Sequence, residues 1–303
     1  MPEASPIVIS HVVELGPELS NEVMDVARRQ GEDPETVQMK IQQFRDMIYE
    51  KGGCRPHRMD DEYLKKFLRA RFWKVENAYK LIVRYYQFRA QNKNFYQGVH
   101  PTKLRSTGDE EIVSVAPYRD QNGRRLIVYK IGNWRPSKLP VLDLFRATLL
   151  IMEVGSLEPA NQVLGAVGIF DLEGLAMHHA WQMTPSYAQK IIQLLVTHMP
   201  IRVNAIHFIN QGWVFDTVWQ LFKPFLNERM REKVFMHGSD LKSLHKHVDP
   251  SRLPMRYGGT QPEYPYKRWL EKIKYNEKVL NNLEQLGYVI DPDDINAISD
   301  PEE

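Results

Sequence analysis

Histidines and carboxylates are the residues of this chain that could do chemistry, and their spacing limits what they could do. His178 and His179 are adjacent, so on a helix their side chains diverge by about 100° and cannot easily share one ion. His245 and His247 stand two apart with no cysteine partner and no zinc-type spacing, so no metal site is expected. Asp171 and Glu173 form a carboxylate pair at the end of an apolar run. A carboxylate placed there most often caps the turn that follows. Gly238-Ser239 also follows an apolar run, but no Gly-x-Ser-x-Gly elbow surrounds it. No phosphate loop or dinucleotide fingerprint occurs. A hydrolase or isomerase using Asp171, His178 or His179 is therefore the weaker reading, and no enzyme and no resident cofactor are expected.

The richest segment is Gly212–Leu226. Read as a helix, it places Asp216, Gln220 and Lys223 on one narrow stripe. Val214, Phe215, Val218, Trp219, Leu221 and Phe222 cover most of the rest, and Phe225 follows Pro224, which breaks or bends the helix. Two readings stay open. It is a core helix with a solvated edge, or a lid whose aromatics close a pocket and enter a membrane interface when it opens. Asn227 then caps a short basic helix carrying Arg229, Arg231 and Lys233. Alone that is a solvated face; beside a lid it would attract lipid phosphates.

The elements around these segments change texture along the chain. Asp33-Pro34 reads as a helix start, with Val37, Ile41, Phe44 and Ile48 inward. A second helix opens at Asp60-Asp61 and buries Leu64, Phe67, Leu68 and Phe72. A third runs from Glu76 to Arg89. Beyond His100-Pro101, 112–116 and 126–131 read as strands around an Asn122-Gly123 hairpin turn. Val141 to Glu153 is a helix apolar almost all round, so it is buried or faces a cavity. Strands follow at 166–170, 203–209 and 234–236, with a helix capped by Thr184-Pro185 between them. Strands alternating with helices imply an α/β fold with a largely parallel sheet. The tail from Tyr266 reads as one amphipathic helix and an acidic end.

Composition narrows the function classes. With 43% hydrophobic and 26% charged residues the chain can bury a core without staples. The net charge of +2 argues against bulk binding to nucleic acid. Cys54 is the sole cysteine, which fits a reducing compartment. The start, Met1-Pro2-Glu3, lacks a signal peptide's basic and apolar runs, and Pro2 stands where myristoylation requires a glycine. No run nears the roughly 18 to 20 apolar residues that span a bilayer. The C-terminus is not a prenylation box. A cytoplasmic chain with peripheral, transient membrane contact is expected.

Six segments stand in a telling order: Phe170-Asp-Leu-Glu-Gly174, Gln182-Met-Thr-Pro-Ser186, Ile206-His-Phe-Ile-Asn210, Lys223-Pro-Phe-Leu226, Met236-His-Gly238 and Leu253-Pro-Met-Arg-Tyr-Gly-Gly259. Together they resemble the CRAL-TRIO lipid-transfer family, especially its tocopherol-transfer and retinaldehyde-binding branch. Phe67-Leu-Arg-Ala-Arg71 resembles the basic turn of that family's N-terminal helical domain. The resemblance implies an N-terminal extension (1–32), a three-helix domain (33–98), a lipid-binding domain (99–262) and a C-terminal helix with its tail (263–303). It implies a five-stranded, largely parallel sheet with helical cover, flooring a pocket closed by a mobile gate at about 210–226. Pocket positions by the same matching are Phe145, Leu149, Ala166, Phe170, Leu175, Met183, Ile191, Leu194, Leu195, Met199, Ile201, Val203 and Ile206. A phosphoinositide cleft maps to Arg71, Arg202, Arg229 and Lys233, with Asn204 at a further position that is basic in the tocopherol carrier. The implied activity is transfer of a small hydrophobic lipid, tocopherol-like or retinoid, to phosphoinositide-containing membranes. Phospholipid exchange by the same fold is the alternative.

Overall fold

The protein is described here by a computed structural model covering residues 13–286, apart from 17–18, 98, 102–103 and 105–107. The acidic end of the tail lies outside the described residues. Helices α1 (Asn21–Arg29), α2 (Val37–Lys51), α3 (Asp61–Ala70), α4 (Val75–Gln91) and α5 (Lys93–Tyr96) come first. Asp60 caps α3 through its side chain, which accepts from the Tyr63 amide at 3.0 Å. Leu64, Phe67 and Leu68 are buried against Leu81, Ile82 and Tyr85 of α4.

Four local expectations are corrected. Asp33 does not begin α2; its carbonyl accepts from Thr36 and Val37 and its carboxylate from the Glu35 amide, making a turn ahead of the helix. The extension read as 1–32 contains α1, which packs on α7 (Pro159–Leu164). Phe72 is 49% exposed rather than buried, because Phe72 and Trp73 both take positive φ after α3, which brings Trp73 inward instead. The C-terminal segment holds two helices, α13 (Tyr266–Ile273) and α14 (Glu277–Gln285), not one. Their buried Trp269, Ile273, Val279 and Leu283 belong to the same apolar cluster as α2–α4.

β1 (Val113–Arg119) and β2 (Arg125–Lys130) form an antiparallel hairpin. The Asp120 carboxylate accepts from the amides of Asn122 and Arg124, closing the turn. β3 (Ala166–Asp171), β4 (Val203–Ile209) and β5 (Val234–Met236) add in parallel, giving the order β1-β2-β3-β4-β5. The expected five-stranded, largely parallel sheet is present.

Period-two alternation sends the side chains to two environments. Leu126, Val128, Val167, Ile169 and Ala205 face a compact cluster with Leu244, Val248, Leu253 and Tyr257. Leu244 belongs to the short helix α12 (Leu241–His245). Tyr129, Phe170 and Phe208, in register on β2, β3 and β4, line a cavity on the opposite face. That face is covered by α6 (Val141–Leu157), α9 (Pro185–Ile192), the π-turn Gln193–His198 and α10 (Trp213–Phe222).

Candidate functional site

The cavity is walled by 26 described side chains, none of them charged. Its free volume is about 180 Å³. Its floor is an aromatic row. Tyr129 and Phe170 stack with centroids 4.7 Å apart and planes at 5°, and Phe170 meets Phe208 at 5.2 Å. Phe208 then contacts Phe215 at 4.8 Å and Trp219 at 5.8 Å on α10. Polar side-chain atoms on the wall are few. The Tyr129 hydroxyl lies 3.2 Å from Thr148 Oγ1, which in turn donates to the Leu144 carbonyl. The Trp134 indole N–H is already donated to the Leu139 carbonyl.

Of the expected pocket positions, Phe145, Phe170, Leu175, Met183, Ile191, Leu194, Leu195 and Ile206 line this cavity. Leu149, Ala166, Met199 and Ile201 do not; they are buried in the cluster that packs on the N-terminal helices. Val203 does not line it either, because it sits half-buried at the first position of β4, beside Ala166 and away from the aromatic row. Tyr129, Thr148 and Phe208 line the cavity without having been singled out. The strand pleat that places Phe170 inward placed Tyr129 and Phe208 there too, so the signal was in the register. From the gate segment, Phe215, Val218, Trp219 and Phe222 face the cavity. Val214 is buried, Leu221 is half-buried, and Phe225 packs with Leu226 and Met230 below the helix. Pro224 ends α10 in the single turn Lys223–Phe225. Trp213 opens α10 71% exposed; Trp181, just after the adjoining α8 (Met177–Ala180), is 73% exposed.

A cationic group lies beyond the start of β3 and β4. Arg202 is pushed down to about 10 by burial, with Arg71 and Arg124 adding repulsion. Lys233 is lowered by burial and then by Arg202, Arg71 and Arg124. Arg71 is lowered by burial and by Arg84. None of these cations forms an ion pair among the described residues. Like charges gathered without counter-ions create a field that draws anions. Arg124 was missed because it sits in the hairpin turn, far in sequence from the others. Arg229 is exposed on α11 (Glu228–Arg231). With the amide oxygen and nitrogen of Asn204 exchanged, the nitrogen donates to the carbonyls of Leu164 and Arg202 at 3.1 and 3.2 Å.

Two of the histidines singled out in the sequence have structural partners. His179 joins the Ala176 amide at Nδ1 and the Trp134 carbonyl at Nε2, while His245 Nε2 reaches the Tyr257 carbonyl. Among the described residues no group of three or more His, Cys, Asp or Glu is arranged to hold a metal ion.

A CRAL/TRIO domain model matches residues 109–259. Clavesin-1 of Pongo abelii is 32% identical over 258 residues, covering 84% of this chain and 73% of that protein. Clavesin-2 of Homo sapiens is 32% identical over 262 residues, covering 86% and 80%. The chain belongs to the CRAL-TRIO family. This is the lipid-binding and lipid-transfer family that its motifs resemble. The crystal structure of Sfh5 shares the fold, with a TM-score of 0.50 at 16% identity over 89% of this chain and 98% of that one.

One carboxylate ties three of the family-like segments together. Asp171 Oδ1 accepts from the Glu173 amide and from Asn210 Nδ2, and Oδ2 accepts from the Tyr257 hydroxyl at 3.0 Å. Gly132 closes the same corner. A Cβ there would stand 1.9 Å from the Glu173 carbonyl oxygen, so only glycine allows the approach. Asp171 is thus a fastening at the strand ends, as its capping position suggested.

Proposed function

We propose that this CRAL-TRIO protein holds one small, largely apolar lipid, tocopherol-like or retinoid, in the cavity and releases it at a phosphoinositide-containing membrane. It does so as a carrier, without turnover of the lipid. The observation that supports this reading is the uncharged wall. A phospholipid headgroup would find no ionic partner there, and burying an unpaired charge is costly. The hydroxyl pair Tyr129–Thr148 suits a ligand with a single hydroxyl or carbonyl.

Burying a lipid of roughly 25 to 30 carbons removes several hundred Å² of apolar surface from water, worth about 10 kcal/mol before ordering costs. Such a ligand leaves into water too slowly to be useful. A membrane that accepts both α10 and the lipid removes that barrier. In this reading α10 is the gate, and the cations Arg71, Arg202 and Lys233, joined by Arg124, hold a phosphorylated inositol headgroup while it opens. Headgroup binding shifts the population of open and closed forms by its differential affinity for them.

Mass spectrometry of lipid extracted from the purified protein tests the cargo. A terpenoid or retinoid is expected, and a glycerophospholipid would replace this reading with phospholipid exchange. Tyr129→Phe keeps the stacked ring and removes only the hydroxyl. It is expected to speed loss of a hydroxylated ligand and to leave a pure hydrocarbon probe unaffected.

A further inference from the structure

A second cavity, of about 710 Å³, shares no residue with the apolar one. It lies between the start of α3, the end of α6 and α14. Lys66 and Asn282 in its walls are 2% and 3% exposed. Lys66 Nζ, His57 Nε2 and both side-chain polar atoms of Asn282 have no hydrogen-bond partner among the described residues. Buried polar atoms are almost always paired, so four unpaired ones on side chains that wall one cleft, each shielded from water in this conformation, point to a missing partner that a turn of those side chains would admit.

The chemistry of that partner follows from the donors. Lys66 Nζ rests 4.2 Å from the Tyr63 ring centre and 5.3 Å from that of Phe67, which favours the ammonium form. Burial nevertheless pushes it down to about 8, with the field of Glu153 acting in the opposite direction. His57 Nδ1 lies 2.7 Å from the Tyr86 hydroxyl, which is 2.5 Å from the Tyr63 hydroxyl. With Tyr63 donating to Tyr86 and Tyr86 donating to Nδ1, Nε2 carries the hydrogen. The unmet groups are then three donors, Lys66 Nζ, His57 Nε2 and Asn282 Nδ2, against one acceptor, Asn282 Oδ1. Of the carboxylates near it, Asp60 is engaged by Arg58, Glu62 by Lys278 and Glu153 by Tyr85 and Arg89, while Glu277 also lines the cleft.

We propose that this cleft is a binding site for a compact anion, a phosphate or carboxylate group, held by Lys66, His57 and Asn282. A group that also carries a hydroxyl, as monohydrogen phosphate does, would satisfy Asn282 Oδ1 as well.

Calorimetric titration of the full chain with inorganic phosphate and with succinate tests the site. Lys66→Met keeps the stem volume and removes an unpaired buried charge, so it is expected to fold and to melt no lower than the parent without anion. Saturable binding by the parent is expected, weakened roughly tenfold or more in Lys66→Met, the loss of one charge-assisted hydrogen bond. It should persist in Arg124→Ala, which separates this cleft from the cationic group near β4. Vesicles of phosphatidylcholine with and without phosphatidic acid distinguish the source. Vesicle binding lost in Lys66→Met assigns a lipid headgroup; loss confined to soluble phosphate or succinate assigns a free anion. Should Lys66→Met fail to fold, Asn282→Leu replaces it with the same expected loss. No saturable binding by the parent, or equal affinity in the folded variant, overturns the proposal.

Discussion

The Tyr257 hydroxyl donates to the buried carboxylate of Asp171 across 86 residues of chain, at 3.0 Å. Two further donors, the Glu173 amide and Asn210 Nδ2, converge on the other oxygen. Asp171→Asn would turn an amide NH₂ toward one of these donors and leave it unsatisfied. A loss of about 1 to 3 kcal/mol in unfolding free energy is expected in urea titration. Tyr257→Phe, which removes a single donor, should cost about 1 kcal/mol. An unchanged Asp171→Asn would mean that this corner contributes little to stability.

That corner also shows what could be read from the chain and what could not. Alternation and turn residues located all five strands, because each strand buries a distinct face and its register is thereby specified. The cap role of Asp171 followed from its place after a strand, but its Tyr257 partner did not, since the pairing is made only by the fold. Trp73 replaced Phe72 inside because two consecutive positive-φ residues re-aim the chain, and local periodicity carries no trace of that. The docking of α13 and α14 on the N-terminal helices was equally invisible, since an amphipathic stripe does not say what covers it. Arg124 joined the cationic group only once β2 and β4 were laid beside β3.

The exposed indoles Trp213 and Trp181 flank the proposed gate, and indole rings favour the membrane–water interface. Trp213→Ala and Trp181→Ala should each leave unfolding free energy within about 0.5 kcal/mol, since both side chains are in water. Vesicle co-sedimentation and the rate of ligand delivery should fall, most in the double variant. Undiminished delivery by the double variant would remove these residues from membrane docking.

Arg124 gives the cleanest test of the cationic group. Arg202 also donates to the Val163 carbonyl and to Gln30, and its ring-facing guanidinium lies 4.5 Å from the centre of Phe72, so truncating it disturbs packing. Arg124→Ala removes a charge acting on Arg202 and Lys233 without those losses. Binding to phosphoinositide vesicles should weaken by a few-fold, and less so at high salt, where screening already dulls the field. Arg229→Ala should weaken it less than Arg124→Ala. The reverse order would make Arg229 the larger contributor to headgroup binding.

Acid should destabilise the fold through His207. Burial pushes this imidazole down to about 3, and His237 and His247 add repulsion. The rings of Phe235, His237 and His247 surround it, and Ser243 holds His237. Asp240 is the carboxylate whose charge acts on His237. A depressed histidine means that the unfolded chain takes up a proton near pH 6.5 and the folded chain does not. Stability is therefore full above that pH and declines as pH falls toward 3. One such group contributes a slope of up to about 1.4 kcal/mol per pH unit. His57, pushed down to about 4 by burial and neighbouring cations, adds a second contribution in the same direction. Urea unfolding between pH 6.5 and 5 should show this slope, and His207→Asn should flatten it by one group's share while leaving His57's in place. An unaltered slope in His207→Asn would show that His207 is protonated in the folded state, with the cluster rearranged around the charge.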